Sequence, residues 1–284
     1  MLMTQAENID LELFAKKIRY YTLKEFTLMG FGHYGGSLSI VETLAVLYGK
    51  YLKVSPETKQ DLNRDYFVLS KGHAGPALYA TLFLKGYFTE DWLSTLNNNG
   101  TKLPSHPDRN LTPGVDMTTG SLGQGISAAT GIALGNKIAK RENHTFCIVG
   151  DGELNEGQAW EAIQMASHNK LDQLIIFVDD NKMQLDGPTE EINNPLDFVS
   201  KFQAFGYFSK RIDGSSVSEI SETVEWAKAN QGKPTAIILD TVKGQGIPII
   251  EKMGNNHHLR PDEATNIEII KAMNTLGEEI EVNN

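Results

Sequence analysis

The sequence predicts an α/β fold, an open and mostly parallel sheet with helices on both faces, in a single domain over residues 1–284. Three observations carry this. The short apolar runs Tyr66–Leu69, Phe146–Val149, Leu174–Val178 and Ala236–Leu239 are each followed by polar residues or glycine, as buried parallel strands are. Between them, apolar residues recur at steps of three and four, the period of an amphipathic helix. No internal repeat, low-complexity stretch or linker breaks the alternation.

In chain order, Asp10 is placed to cap a helix over residues 10–28, with Leu11, Phe14, Ile18 and Tyr21 on one face. After the glycine-bearing stretch Gly30–Gly36, Ser39 and Glu42 have capping-box spacing, and Ile40, Leu44, Leu47, Tyr48 and Tyr51 line a second helix. Gly125, Ala128, Ala129, Ala133 and Gly135 would let another helix lie close to a neighbour. The chain closes on an amphipathic stretch with Ile267, Ile270, Met273 and Leu276, and fraying is expected beyond about residue 278.

Composition narrows the function. With 40% hydrophobic residues in 284, the chain has ample material for a dry core. Its 36 acidic and 26 basic residues give a net charge of -10, which disfavours a nucleic-acid surface or an anionic membrane as partner. The single Cys147, inside the apolar run Thr145–Val149, reads as a buried thiol in a reducing compartment. No run of about 18 apolar residues occurs, and an N-terminus with Glu7, Asp10 and Glu12 lacks the order of a secretory signal, so a cytoplasmic location is expected.

The most informative stretch runs from Phe146 through Gly150-Asp151-Gly152 and a helical segment to Leu174–Asn181. It reads strand, glycine turn, helix, strand, turn. A right-handed crossover would set the two turns side by side at the carboxyl edge of the sheet, bringing Asp151 to Asn181. Glycines allow close backbone approach, and the following helix start offers N–H groups suited to a diphosphate. Asp151, the Asn181 amide oxygen and a carbonyl such as that of Met183 are hard donors of the type magnesium or calcium prefers. Gly-Asp-Gly by itself is equally an ordinary turn. His33, His73 and His106 stand in turns punctuated by glycine or proline, and His257 and His258 are adjacent; any one of them alone is more often a satisfied or solvated histidine than a catalyst. His144 and His168 read as surface residues, and Lys243-Gly-Gln-Gly-Ile-Pro as the turn leading to His257.

Gly150-Asp151-Gly152, 28 further residues and then Asn181 resemble the thiamine diphosphate motif, and Gly-Asp-Gly-Glu-Leu-Asn-Glu-Gly-Gln-Ala-Trp-Glu-Ala resembles its transketolase version. Leu69-Ser-Lys-Gly-His73 also follows the transketolase form rather than that of deoxyxylulose-phosphate synthase. The resemblance implies a thiamine diphosphate-binding fold, with Asp151, Asn181 and the Met183 carbonyl holding a magnesium ion for which calcium or manganese can substitute. It further implies cofactor contacts from His73, Gly120, Ser121, Leu122, Gly152, Asn181 and His257, and catalytic roles for His33, His106 and His257. Spacing to Pro261 favours His257 over His258. The family transfers a two-carbon ketol unit from a ketose phosphate to an aldose phosphate. Its pyrimidine-binding domain, which carries an activating glutamate, and its C-terminal domain have no counterpart in this sequence. The expectation is therefore an N-terminal subunit of a split transketolase, completed by a C-terminal subunit in an α2β2 assembly. A split relative acting on an unusual sugar phosphate, or a non-catalytic cofactor-binding partner protein, would read alike.

Overall fold

A computed structural model describes residues 9–283; Glu7 of the N-terminal reading lies outside them. Helix α1 (Leu11–Met29) starts where the Asp10 carboxylate accepts the Glu12 and Leu13 amides at 3.0 and 3.1 Å. It stops at Gly30, whose φ of 78° is the left-handed conformation glycine adopts freely. The expected second helix is broken into α2 (Tyr34–Leu38), α3 (Val41–Val46) and a π turn over Leu47–Tyr51. Ser39 does not cap it. The chain is already helical before Ser39, whose amide donates to the Gly35 carbonyl, so its hydroxyl is free to reach Asp179 at 2.7 Å.

Strand β1 (Tyr66–Leu69) leads into α4 (Gly75–Leu84), and α5 (Gln124–Ile138) into β2 (Thr145–Gly150). Helix α6 (Gly157–His168) then crosses to β3 (Leu174–Asp180). The short α7 (Thr189–Asn193) and α8 (Phe198–Ala204) precede β4 (Phe208–Asp213), and α9 (Val217–Ala229) precedes β5 (Thr235–Asp240). The single turn α10 (Pro248–Glu251) and the long α11 (Glu263–Val282) complete the chain. All strand pairs are parallel, in the order β1-β2-β3-β5-β4, and the register sets Gly150 beside Asp179 and Asp180 beside Asp240.

Side chains alternating along the strands feed two separate cores. Phe67, Phe146, Ile148, Ile175, Phe177, Ile237 and Leu239 pack with residues of α1, α3, α4 and α9. Val68, Cys147, Val149, Ile176, Val178 and Ile238 pack with α5, α6 and α8. Helices therefore cover both faces, which explains why the central strands are continuously apolar. Strand β4 was not foreseen, because it is the sheet edge and its burial alternates, with Arg211 and Asp213 exposed. A Cβ on Gly125 would lie 2.5 Å from the Ser70 backbone, so the close approach of α5 is real at its start; Gly131 and Gly135 face open space. Fraying after residue 278 is not found, since α11 runs to Val282 and Glu279 pairs with Lys16 at 2.6 Å. Among the described residues no helix is long and apolar enough to cross a membrane.

Candidate functional site

The turns following β1, β2, β3 and β5 meet the loop before α5 and the segment around His257 in a cavity of about 410 Å³. His33, His73, His106, His257, Gly120, Leu122, Asp151, Gly152, Asn181 and Met183 all line it. Ser121 does not. It is exposed and outside the lining, because the loop between Gly120 (φ 142°) and Gly123 (φ 83°) presents its neighbour Leu122 to the cavity instead. A larger cavity of about 500 Å³ holds none of these residues; its Arg64 is committed to Asp116 in a two-pronged ion pair at 2.5 and 3.1 Å.

Asp151 forms the anionic floor. It is 3% exposed; Oδ1 accepts the Gly152 amide at 2.7 Å, while Oδ2 is buried without a hydrogen-bond partner. Burial and the nearby Asp179 carboxylate push its pKa up to about 7. An orphaned buried carboxylate oxygen of this kind fits a cation. Asn181 donates its Nδ2 to Asp179 at 2.8 Å, and its Oδ1 accepts the Met183 amide at 3.1 Å, which fixes which end of the amide is oxygen. Asp179 is the anchor beneath. Burial opposes its ionisation, but the Lys71 ammonium, with hydroxyl donors from Thr241 and Ser39, holds its carboxyl below the usual range. Among the described residues no cluster of three or more His, Cys, Asp or Glu side chains could hold a metal. Two side-chain oxygens and a carbonyl leave positions that diphosphate oxygens suit.

The glycines act through space. Neither Gly150 nor Gly152 has a positive φ, but a Cβ on Gly152 would come within 2.8 Å of the Gln184 Cβ. A Cβ on Gly120 would press on the His106 ring at 3.2 Å.

Above this floor the imidazoles converge on His33. Its ring centroid lies 5.7 Å from His73, 5.5 Å from His106, 5.3 Å from His257 and 4.8 Å from His258. Burial and the neighbouring His257 lower His33 to about 3, and burial and Lys243 lower His257 to about 4. His73 is pushed well below the ordinary value by burial and Lys71. These rings are neutral at neutral pH, each with one nitrogen to accept and one to donate. His257 is seated by its neighbour Asn256, whose Nδ2 donates to the Lys243 and Ile250 carbonyls at 2.7 and 2.9 Å. His258 is exposed, lies 5.6 Å from the Phe31 ring and is outside the cavity lining. Of the two, His257 is the one that lines the cavity.

Sequence reasoning missed three buried charged residues of the cavity. Lys71 stands two positions before His73 in a motif read only for its histidine. Lys243, read as part of a turn, donates to the Met183 and Gln184 carbonyls at 3.2 and 3.3 Å, and burial beside Lys71 lowers it to about 8. Glu153 is the third. His144, expected at the surface, is half-buried against Phe146 with centroids 5.9 Å apart, whereas His168 is exposed.

Residues 11–280 match the family model described as transketolase, thiamine diphosphate binding domain. The chain belongs to the transketolase family. It is 50% identical over 257 residues to a 6-deoxy-6-sulfo-D-fructose transketolase subunit of Clostridium sp. (strain MSTE9), covering 90% of this chain and 94% of that one. It is 41% identical over 232 residues to an apulose-4-phosphate transketolase subunit from Actinobacillus succinogenes, covering 81% and 83%. The crystal structure of Campylobacter jejuni transketolase superposes with a TM-score of 0.88 at 31% identity, covering 95% of this chain and 43% of that one. The chain thus spans less than half the length of that transketolase, yet nearly all of a chain that is itself a subunit. It corresponds to the N-terminal, thiamine diphosphate-binding subunit of a split transketolase-type enzyme.

Proposed function

We propose that this subunit transfers a two-carbon ketol unit from a ketose carrying a terminal anionic group to an aldose phosphate, working with magnesium and in complex with a C-terminal subunit. The observation that carries it is the stacking of a neutral histidine cluster above a buried carboxylate whose Oδ2 has no partner. Asp151, the Asn181 Oδ1 and the Met183 carbonyl would hold the metal, with calcium or manganese able to replace it. When bound, thiamine diphosphate supplies the electron sink that lets a ketose carbon–carbon bond break.

The rest is the work of this chain. His73, with Gly120, Leu122 and Gly152, would bind the cofactor. His33, His106 and His257 would hold the sugar hydroxyls, and His33 and His257 would move their protons, because a neutral imidazole can take one proton and return it. Lys71 and Lys243 bring positive charge to the wall that a diphosphate would face.

Leu185 lines the cavity at 61% exposure and Val242, beside Lys243, is 51% exposed. Apolar side chains uncovered at the mouth suit a second subunit that closes the site and excludes water. That partner would bring the activating glutamate, two copies of each chain assembling as α2β2. The 50% identical relative makes a sulfonated ketose, 6-deoxy-6-sulfo-D-fructose, the first donor to try, ahead of xylulose 5-phosphate. The test is a donor panel assayed with ribose 5-phosphate or glyceraldehyde 3-phosphate as acceptor. Transfer from a sulfonated or phosphorylated ketose, and none from its neutral parent sugar, is the expected result; no transfer from any ketose would refute the proposal.

A further inference from the structure

Glu153 has no part in the assignments above, yet it is the most heavily bonded acid in the cavity wall. It is 2% exposed. Its Oε1 accepts the Ser70 hydroxyl at 2.5 Å and the Gly123 amide at 2.8 Å, and its Oε2 accepts the Gly150 amide at 3.2 Å. The three donors belong to three different segments of the chain, two loops and the end of a strand. Ser70 precedes Lys71 and His73, Gly123 closes the turn that carries Gly120 and Leu122, and Gly150 ends β2 directly before Asp151. Ser70 extends the network, its Oγ accepting the Ile126 amide at 2.8 Å in the first turn of α5.

We propose that Glu153 is a positioning residue for the cofactor cradle, its carboxylate tying the His73, Leu122 and Asp151 loops into one rigid unit. This rests on reading the cavity as the thiamine diphosphate site. The chemistry demands a carboxylate, since all three neighbours are donors and only a group with two acceptor oxygens and no hydrogen satisfies them. A glutamine in the same pose would keep a carbonyl oxygen for Ser70 and Gly123, but would turn an NH2 toward the Gly150 amide. Glu153→Gln therefore releases the Asp151 turn and leaves the Leu122 turn tied; the two oxygens have separable tasks.

The test uses the full chain assembled with its C-terminal partner, comparing wild type, Glu153→Gln and Ser70→Ala. Amide hydrogen exchange without cofactor should show Gly150 exchanging about tenfold faster in Glu153→Gln, with Gly123 within about twofold of wild type. Calorimetric titration with thiamine diphosphate and magnesium should give a Kd raised about tenfold, while kcat at saturating cofactor stays within about twofold. A merely structural role would lower kcat or the folded fraction without this split between affinity and turnover. Ser70→Ala, which leaves the Gly150 bond in place, should raise Kd less, and it decides the matter if Glu153→Gln does not fold: Kd unchanged in that variant overturns the proposal. Unchanged Gly150 exchange, or an unchanged Kd with a fall in kcat, in Glu153→Gln also overturns it. A wild type that takes up no thiamine diphosphate would instead refute the cofactor reading, and the exchange result would still show whether the tie exists.

Discussion

At Asp151 the site presents a buried carboxylate whose Oδ2 has no hydrogen-bond partner among the described residues. Replacing it with Ala should remove a charge-assisted contact worth about 1.5–3 kcal/mol and weaken metal-dependent cofactor binding roughly ten- to a hundredfold. The pH dependence follows from its pKa of about 7, raised from 3.8 by burial and Asp179. Below that value a proton occupies the carboxylate and competes with the cation, so affinity should fall as pH drops from 8 to 6, by up to about tenfold per unit. Calorimetry at the two pH values tests the slope, which Asp151→Asn should flatten. His257→Ala should reduce kcat by about 10²–10⁴ and His258→Ala by only a few-fold, if the half-buried ring that lines the cavity and not the exposed one moves protons; equal losses in a steady-state assay would contradict this. The convergence of Asp151, Asn181 and the histidines on one cavity was legible in the sequence. Asp151 and Asn181 follow from strand–turn–helix–strand order alone, because parallel strands must bring their carboxyl ends to one edge. Ser121 was misplaced and Lys243 overlooked for one reason: which way a side chain leaves a glycine-rich loop depends on φ values that composition does not reveal.

Among the elements, α1, α3 and the turn after β5 share one buried polar knot. Arg19 on α1 pairs with Glu42 on α3 at 2.5 Å, and Glu42 also accepts the Gln245 amide at 3.0 Å, while the Gln245 carbonyl accepts the Arg19 Nε at 3.3 Å. Both charged side chains are nearly inaccessible. Glu42→Ala would leave the Arg19 charge buried and unpaired, which should cost about 3–5 kcal/mol in a denaturant titration. A loss below about 1 kcal/mol would show that the knot is not coupled to folding. The sequence marked Glu42 as part of a capping box, a local reading that fails because Ser39 already sits inside a helical turn. Strand β4 escaped for the complementary reason. Paired on one side only, it carries Lys210 and Arg211 where a central strand would carry valine or isoleucine, so the apolar-run signal is absent even though its backbone bonds to β5 are present.

For the whole molecule, the two-sided covering of the sheet was legible because each face needs its own apolar set, and the alternation of Phe146, Cys147, Ile148 and Val149 between the two cores delivers it. The surface proposed for the partner was not, since exposed residues such as Leu185 carry no periodic signal. In the function proposed, this fold supplies the diphosphate half of a transketolase site and a second chain completes it. The measurement that tests it most directly is ketol transfer in the presence of thiamine diphosphate and magnesium, with 6-deoxy-6-sulfo-D-fructose or xylulose 5-phosphate as donor. It is run on this chain alone and on its mixture with the C-terminal subunit. No turnover alone and restored turnover in the mixture is the predicted result; sustained turnover by this chain alone would contradict the account, because the activating carboxylate would then have to lie within these 284 residues.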